Sequence, residues 1–236
     1  MLYMDPTWLL LMLVTVAIGG ATQFYIKSTF NKWSRISTQN GLTGAQVAEK
    51  LLEINRIKAP VGHATGEGSV AVRRVAGHLT DHYDPRTGVV ALSEPVFGET
   101  SVSAVAVAAH EVGHAVQDAE NYVWGELRTR IVPVVNFGSS MAGVLIIFGF
   151  VVGLTELIWV GIAGYSLAVL FQLITLPVEL DASKRALTQL EVNGLLTVGE
   201  VPAARQVLTA AALTYLAGAL IAVLNLIYYI GLARRS

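Results

Sequence analysis

Four apolar stretches, each long enough to cross a bilayer, constrain this chain more than any other feature: Thr7 to Ile26, Ile131 to Leu154, Leu157 to Leu176 and Ala210 to Leu232. A hydrocarbon core about 30 Å thick takes about 20 apolar residues in a helix. Polar residues are few in these stretches, and Trp8, Tyr25, Trp159, Tyr228 and Tyr229 sit near their ends, as interfacial anchors do. Only 14% of the 236 residues are charged. That leaves too little polar surface to cover four such helices in water, so the chain reads as a mainly α membrane protein with four transmembrane helices. The first stretch reads as a retained anchor, because Asp5 is the only charge before it and no basic region precedes it.

These stretches divide the chain into a first span (7–26), a polar block (27–130), a hairpin of spans two and three joined near Thr155 and Glu156 (131–176), a second polar piece (177–205) and a fourth span (206–233). Within the polar block, Thr43 and Gln46 form a capping-box pair. Val47, Ala48, Leu51, Leu52 and Ile54 then recur at helical spacing, which predicts an amphipathic helix to about Ile57. Ala59 to Gly68 reads as a loop, Ser69 to Ala76 as a strand and Asp84 to Gly88 as a turn. Val89 to Phe97 reads as a second strand that Pro95 would confine to a sheet edge, where an extended peptide could add to it. The block is thus expected to be a small α+β domain.

Composition narrows the chemistry. With no cysteine there is no disulfide, thiol nucleophile or thiolate ligand, so a metal would have to be held by histidine and carboxylate. A formal net charge of −1 implies no polyanionic partner, and nucleic-acid binding is not expected.

His110-Glu111-Val112-Gly113-His114 follows the small, apolar run Ser101 to Ala109, which reads as a buried helix to about Glu120. Residues four apart on a helix lie one above the other, so both imidazoles project from one face about 6 Å apart. Two neutral ring nitrogens at that separation can chelate one Zn²⁺ at about 2.0–2.1 Å each. Glu111, about 100° round the helix, can address a zinc-bound water without becoming a ligand. Two hydrogen-bonded core histidines are the alternative.

A catalytic zinc needs a third protein ligand and an open position. Asp118 shares the helical face of His114, but a third ligand from the same rod would have to bend back, so it reads as a support that orients a histidine or anchors a loop. In Pro177-Val-Glu-Leu-Asp-Ala-Ser-Lys-Arg-Ala186, Pro177 suits the first position of a new helix. Glu179, Ala182, Ser183, Ala186 and Leu190 then share a small, apolar face, and an inward carboxylate is costly unless a cation meets it. Glu179 is the expected third ligand. Asp181, which has Lys184 and Arg185 at helical spacing, is the reserve.

Leu79-Thr-Asp-His-Tyr-Asp-Pro85, His110-Glu-Val-Gly-His-Ala-Val-Gln-Asp118 and Pro177-Val-Glu-Leu-Asp-Ala-Ser183, in that order, resemble the YugP-like membrane zinc metallopeptidases of bacteria. The likeness runs from about Leu42 to the C-terminus. It implies a zincin-like catalytic domain between spans one and two, completed by a helix after span three. The pentad alone is common to many zincins. HtpX-type membrane proteases, which look distantly related, carry a Glu-x-x-x-Asp helix whose Glu is the third ligand. That Glu matches Glu179, whereas its Asp matches Ser183, a weaker orienter of a neighbouring ligand.

The expected activity is a membrane-embedded zinc endopeptidase, with Glu111 as general base and His82 as donor to the developing oxyanion. His82 could instead be a turn histidine held by Asp81 or Asp84. His78 shares its spacing, but turn chemistry there argues against a second zinc site, and His63 reads as a surface loop residue. Glu179 follows the third span by a few residues, so the zinc should lie near the membrane surface, with peptides or membrane-protein segments as substrates. Lys27, Lys32, Arg35, Arg128, Arg130, Lys184, Arg185 and Arg205 flank the spans on the polar-domain side against Arg234 and Arg235 opposite, which places the site in the cytoplasm of a bacterial inner membrane. Gly138, Ser139, Ser140, Ala142 and Gly143 would permit close helix packing, also against a second copy as a homo-oligomer. Competing readings are an inactive zincin-fold scaffold, disfavoured by retention of Glu111, and a metal transporter, disfavoured by the lack of mid-membrane carboxylate or histidine in spans two and three.

Overall fold

The structure, a computed structural model, describes residues 6–57 and 70–235. It is mainly helical, with seven helices and three short strands among the described residues. It separates into two compact units: Met1–Gln23, Glu126–Pro177 and Leu213–Ser236 form one, Phe24–Gly125 and Val178–Ala212 the other. His63 and the Ala59 to Gly68 loop lie outside the described residues.

The first unit is built from parts of α1 (Pro6–Trp33), α5 (Val123–Val152), α6 (Thr155–Val192) and α7 (Val201–Ala233). All four helices are long and apolar enough to cross a membrane. Leu13, Val16, Phe137, Ile147 and Val151 point outward, an arrangement suited to lipid rather than water. Helices α5 and α6 approach through small residues: a β-carbon on Gly164 would come within 2.5 Å of the Gly138 carbonyl oxygen. Their link is as tight as the sequence suggested but falls two residues earlier, at Gly153 and Leu154 rather than at Thr155 and Glu156. Gly153, at φ +71°, ends α5 in the left-handed conformation that glycine tolerates, and α6 begins two residues later. Ile146, Ile158, Ile162 and Ala233 form a small buried cluster at that end.

The second unit holds the larger core. Helix α2 (Gly44–Ile54) starts at the expected capping box, with Thr43 accepting from the Gln46 amide and Gln46 reaching back to Thr43 N. Strands β1 (Ala71–Val75), β2 (His82–Asp84) and β3 (Val89–Ser93) form a sheet of order β1-β3-β2, with β1 parallel and β2 antiparallel to β3. Strand β3 is therefore central rather than an edge. Pro95 ends it by starting the short helix α3 (Glu94–Gly98), where its missing N–H costs nothing. The Asp-His-Tyr-Asp segment, read as turn chemistry, supplies the edge strand β2, and the turn falls just after it at Asp84 to Gly88.

Helix α4 (Val102–Ala119) explains the small-residue run before the pentad. Ala104, Ala106, Ala108, Ala109 and Ala115 are all essentially inaccessible, so α4 is packed on nearly every side by Val47, Leu51, Val90, Leu92, Leu190 and neighbours. Pro177 does not begin a new helix. It lies inside α6, which runs unbroken from Thr155 to Val192. An interior proline costs about 3 kcal/mol through its missing hydrogen bond. Burial of Val178, Ala182, Ala186 and Leu190 on its C-terminal side offsets that cost.

Candidate metal centre

Helix α4 is set in register by Ser101, whose hydroxyl accepts from Ala104 N. Three turns on, His110 and His114 stand edge to face, with ring centroids 4.7 Å apart. Opposite them, α6 presents Glu179. Its Oε2 lies 3.2 Å from His110 Nε2 and 3.4 Å from His114 Nε2, and one ligand atom from each residue falls within 4.8 Å of the others. All three residues belong to the second unit. The face of α6 carrying Glu179, Ala182, Ser183, Ala186 and Leu190 is buried, as its pattern predicts.

Gly113 permits this approach. A β-carbon there would lie 2.7 Å from the Ala182 carbonyl oxygen, closer than carbon and oxygen can sit, so α4 and α6 meet backbone to backbone between the ligand candidates.

Both outer ring nitrogens have partners. His110 Nδ1 is 3.2 Å from the Ser183 hydroxyl. His114 Nδ1 is 3.0 Å from Gln117 Oε1. With Nδ1 so engaged, each Nε2 faces Glu179, the arrangement that second-sphere partners commonly impose on metal-binding histidines.

The electrostatics ask for positive charge. Burial opposes ionisation of Glu179, whose side chain is 2% exposed, yet the two imidazoles hold its carboxyl well below the usual range. Burial likewise disfavours a charged His114, but the Glu179 carboxylate lifts its pKa above the ordinary value. Glu111 is also buried, and burial raises its carboxyl. Two imidazole nitrogens and one carboxylate around a charge-demanding centre form a borderline-soft donor set that fits Zn²⁺.

The remaining expected residues fall further out. Asp181, the reserve ligand, is outside the three-residue group; its Oδ2 accepts from Gln117 Nε2 at 2.8 Å and from Arg185 Nε at 2.5 Å. Asp118 accepts from the Tyr83 hydroxyl at 2.9 Å, anchoring β2 to α4. Asp81 accepts from Ser93 N and Oγ and ties the approach of β2 to the end of β3. His82 pairs in register with Ala91, and its exposed ring places Nδ1 2.8 Å from the Thr80 carbonyl rather than on Asp81 or Asp84. That bond puts the neutral ring's proton on Nδ1, so Nε2 can donate only from an imidazolium. Sequence reasoning missed Gly113 and Gln117. The available signals were a glycine inside an otherwise helix-favouring buried run and an amide three residues beyond a ligand candidate.

A family model described as "Putative neutral zinc metallopeptidase" matches residues 8–234. The chain is also similar to the "Putative membrane protease YugP" of Bacillus subtilis (strain 168), with 44% identity over 225 residues that cover 94% of this chain and 96% of that protein. No solved structure matches the chain. The family's metal is zinc, in agreement with the donor set of His110, His114 and Glu179.

Proposed function

Because the chain belongs to the neutral zinc metallopeptidase family, we propose that it is a membrane-embedded zinc endopeptidase whose centre is held by His110, His114 and Glu179. It is a multi-pass membrane protein, with four helices long and apolar enough to span. The observation that carries the reading is the convergence of both Nε2 atoms and one buried Glu179 oxygen within 4.8 Å, with Glu111 buried on the same helix.

Bound zinc supplies Lewis acidity, polarising a peptide carbonyl and lowering the pKa of water. Glu111 then works as the proton carrier: it accepts the proton of the attacking water and delivers it to the leaving amine nitrogen. Its upward-shifted carboxyl suits that two-way role, because a base closer to neutrality gives the proton back more readily. Ser183 and Gln117 orient the two imidazoles. His82, in its imidazolium form, is the proposed donor to the oxyanion. Among the described residues the group has three protein donors, a number that favours catalysis over a purely structural centre.

The basic residues flanking the spans support a site on the cytoplasmic side of a bacterial inner membrane. Glu179 lies only three residues beyond Leu176, about 4.5 Å of helix rise, so the proposed substrates are peptide segments close to the bilayer.

Purified full-length chain should carry one zinc, cut an unstructured protein substrate such as casein, and lose cleavage when a chelator removes the metal. Stoichiometric zinc without cleavage of any peptide would leave an inactive scaffold in place of the protease.

A further inference from the structure

We infer that Gln117 is the positioning residue of the metal centre, fixing the tautomer of His114 through an amide whose orientation is dictated from α6. Gln117 is 3% exposed, and both ends of its amide are committed. Nε2 donates to two acceptors, the Val178 carbonyl oxygen at 2.8 Å and Asp181 Oδ2 at 2.8 Å. An amide NH₂ has two protons, and two acceptors take both. Flipping the group would turn its oxygen onto a carbonyl and a carboxylate, so Oε1 must face His114. At 3.0 Å from Nδ1 it can only accept, which places a proton on Nδ1 and turns the Nε2 lone pair towards the centre.

The acceptors are themselves held. Asp181 receives Arg185 Nε at 2.5 Å, and Arg185 Nη1 reaches back to Glu120, which caps the C-terminal end of α4, at 2.6 Å. Arg185 also lies over the Tyr122 ring. The ring of contacts Gln117–Asp181–Arg185–Glu120 therefore starts on α4, ends at its C-cap and passes through α6, within two turns of Glu179. A single ring sets both the tautomer of one ligand candidate and the register of the helix that brings another.

The inference rests on the reading of His114 as a zinc ligand, and the experiment keeps the two apart. Full-length chain in detergent, stripped of metal, is titrated with Zn²⁺ against a chromophoric zinc chelator. His114→Ala tests the ligand. Gln117→Met keeps the volume and removes the amide. Gln117→Glu puts a carboxylate against Asp181, and Gln117→Glu combined with Asp181→Asn restores one acceptor towards His114 and one donor between positions 117 and 181. Gln117→Met and Gln117→Glu should each weaken zinc binding by about 10–100-fold, and the double variant should regain most of that loss. The absorption spectrum of Co²⁺ in the double variant should match the parent's.

A merely space-filling role would leave Gln117→Met at parental affinity, and that result overturns the inference. So does a double variant no tighter than Gln117→Glu, a comparison that stands even if Gln117→Met does not fold. If His114→Ala binds zinc as tightly as the parent, the ligand reading falls and this inference with it. Loss in His114→Ala without loss in Gln117→Met or Gln117→Glu sinks the inference alone.

Discussion

Gly113 faces Ala182 so closely that a single added carbon would sit 2.7 Å from the Ala182 carbonyl oxygen. The glycine between the two histidines thus sets how near α6, with Glu179, can come to them. Because the obstructing atom is backbone, α6 has to move if that space is filled.

Gly113→Ala tests this directly. On an isolated helix the change would favour folding by about 1 kcal/mol. Here overpacking should cost about 1–3 kcal/mol and push Glu179 out of reach of the histidines. The expected outcome is a lower melting temperature together with zinc below one per chain. Full zinc occupancy in Gly113→Ala would show that the glycine does not set the helix spacing.

Glu111→Gln separates proton transfer from metal binding. Glu111 is absent from the three-residue donor group, so the variant should keep one zinc per chain while cleavage falls by at least about 100-fold. His110→Ala should lose zinc and cleavage together. Metal analysis beside a peptide assay reads both, and a Glu111→Gln variant that still cuts at the parental rate removes Glu111 from the proposed role.

Ser183→Ala removes the hydroxyl 3.2 Å from His110 Nδ1 and little else, since the site is buried and the change is small. Zinc affinity should fall by about tenfold, with the melting temperature of the metal-free chain nearly unchanged. Parental affinity in this variant would mean that the packing around His110, not the hydroxyl, orients its ring.

The metal-free chain should be most stable in mildly acid solution. The Glu179 carboxyl, held below its ordinary 4.5 by the imidazoles against the opposing effect of burial, contributes stability above that pH and loses it as pH falls through its folded value. His114, disfavoured by burial but raised above its ordinary 6.5 by Glu179, contributes fully below 6.5 and loses that stability as pH rises through its folded value. Glu111, raised by burial, acts in the same sense as His114. Because the Glu111 contribution starts to fall at its ordinary 4.5, melting curves in chelator from pH 4 to 9 should peak at about pH 4.5, decline through the Glu111 range and fall further above 6.5 through His114. Zinc should flatten the alkaline decline, because a dication then meets the charge that protons met before. A metal-free chain most stable at pH 8 would contradict this electrostatic account.

Local patterns made much of the architecture legible. The capping box at Thr43 and Gln46, the buried helix around the pentad and the inward face of Glu179 all depend on spacing along one element, and all three appear where the pattern puts them. The errors fell where the deciding contact is distant in sequence. Pro177 looked like a helix start because a proline costs one hydrogen bond locally, whereas packing on the far side of it keeps α6 continuous. Pro95 looked like the mark of an edge strand, whereas it closes a strand paired on both sides.

The amino-acid order alone determined the four bilayer-length helices, the two imidazoles sharing a helical face and the carboxylate turned inward on α6, because each follows from the period of a single helix. Only the tertiary structure decided how these meet. The closeness of α4 and α6 at Gly113 and Ala182, the hydroxyl behind His110 and the Gln117–Asp181–Arg185–Glu120 ring behind His114 join residues more than 60 positions apart. Which partners meet across such a distance is set by packing between helices, and no repeat along either helix encodes it.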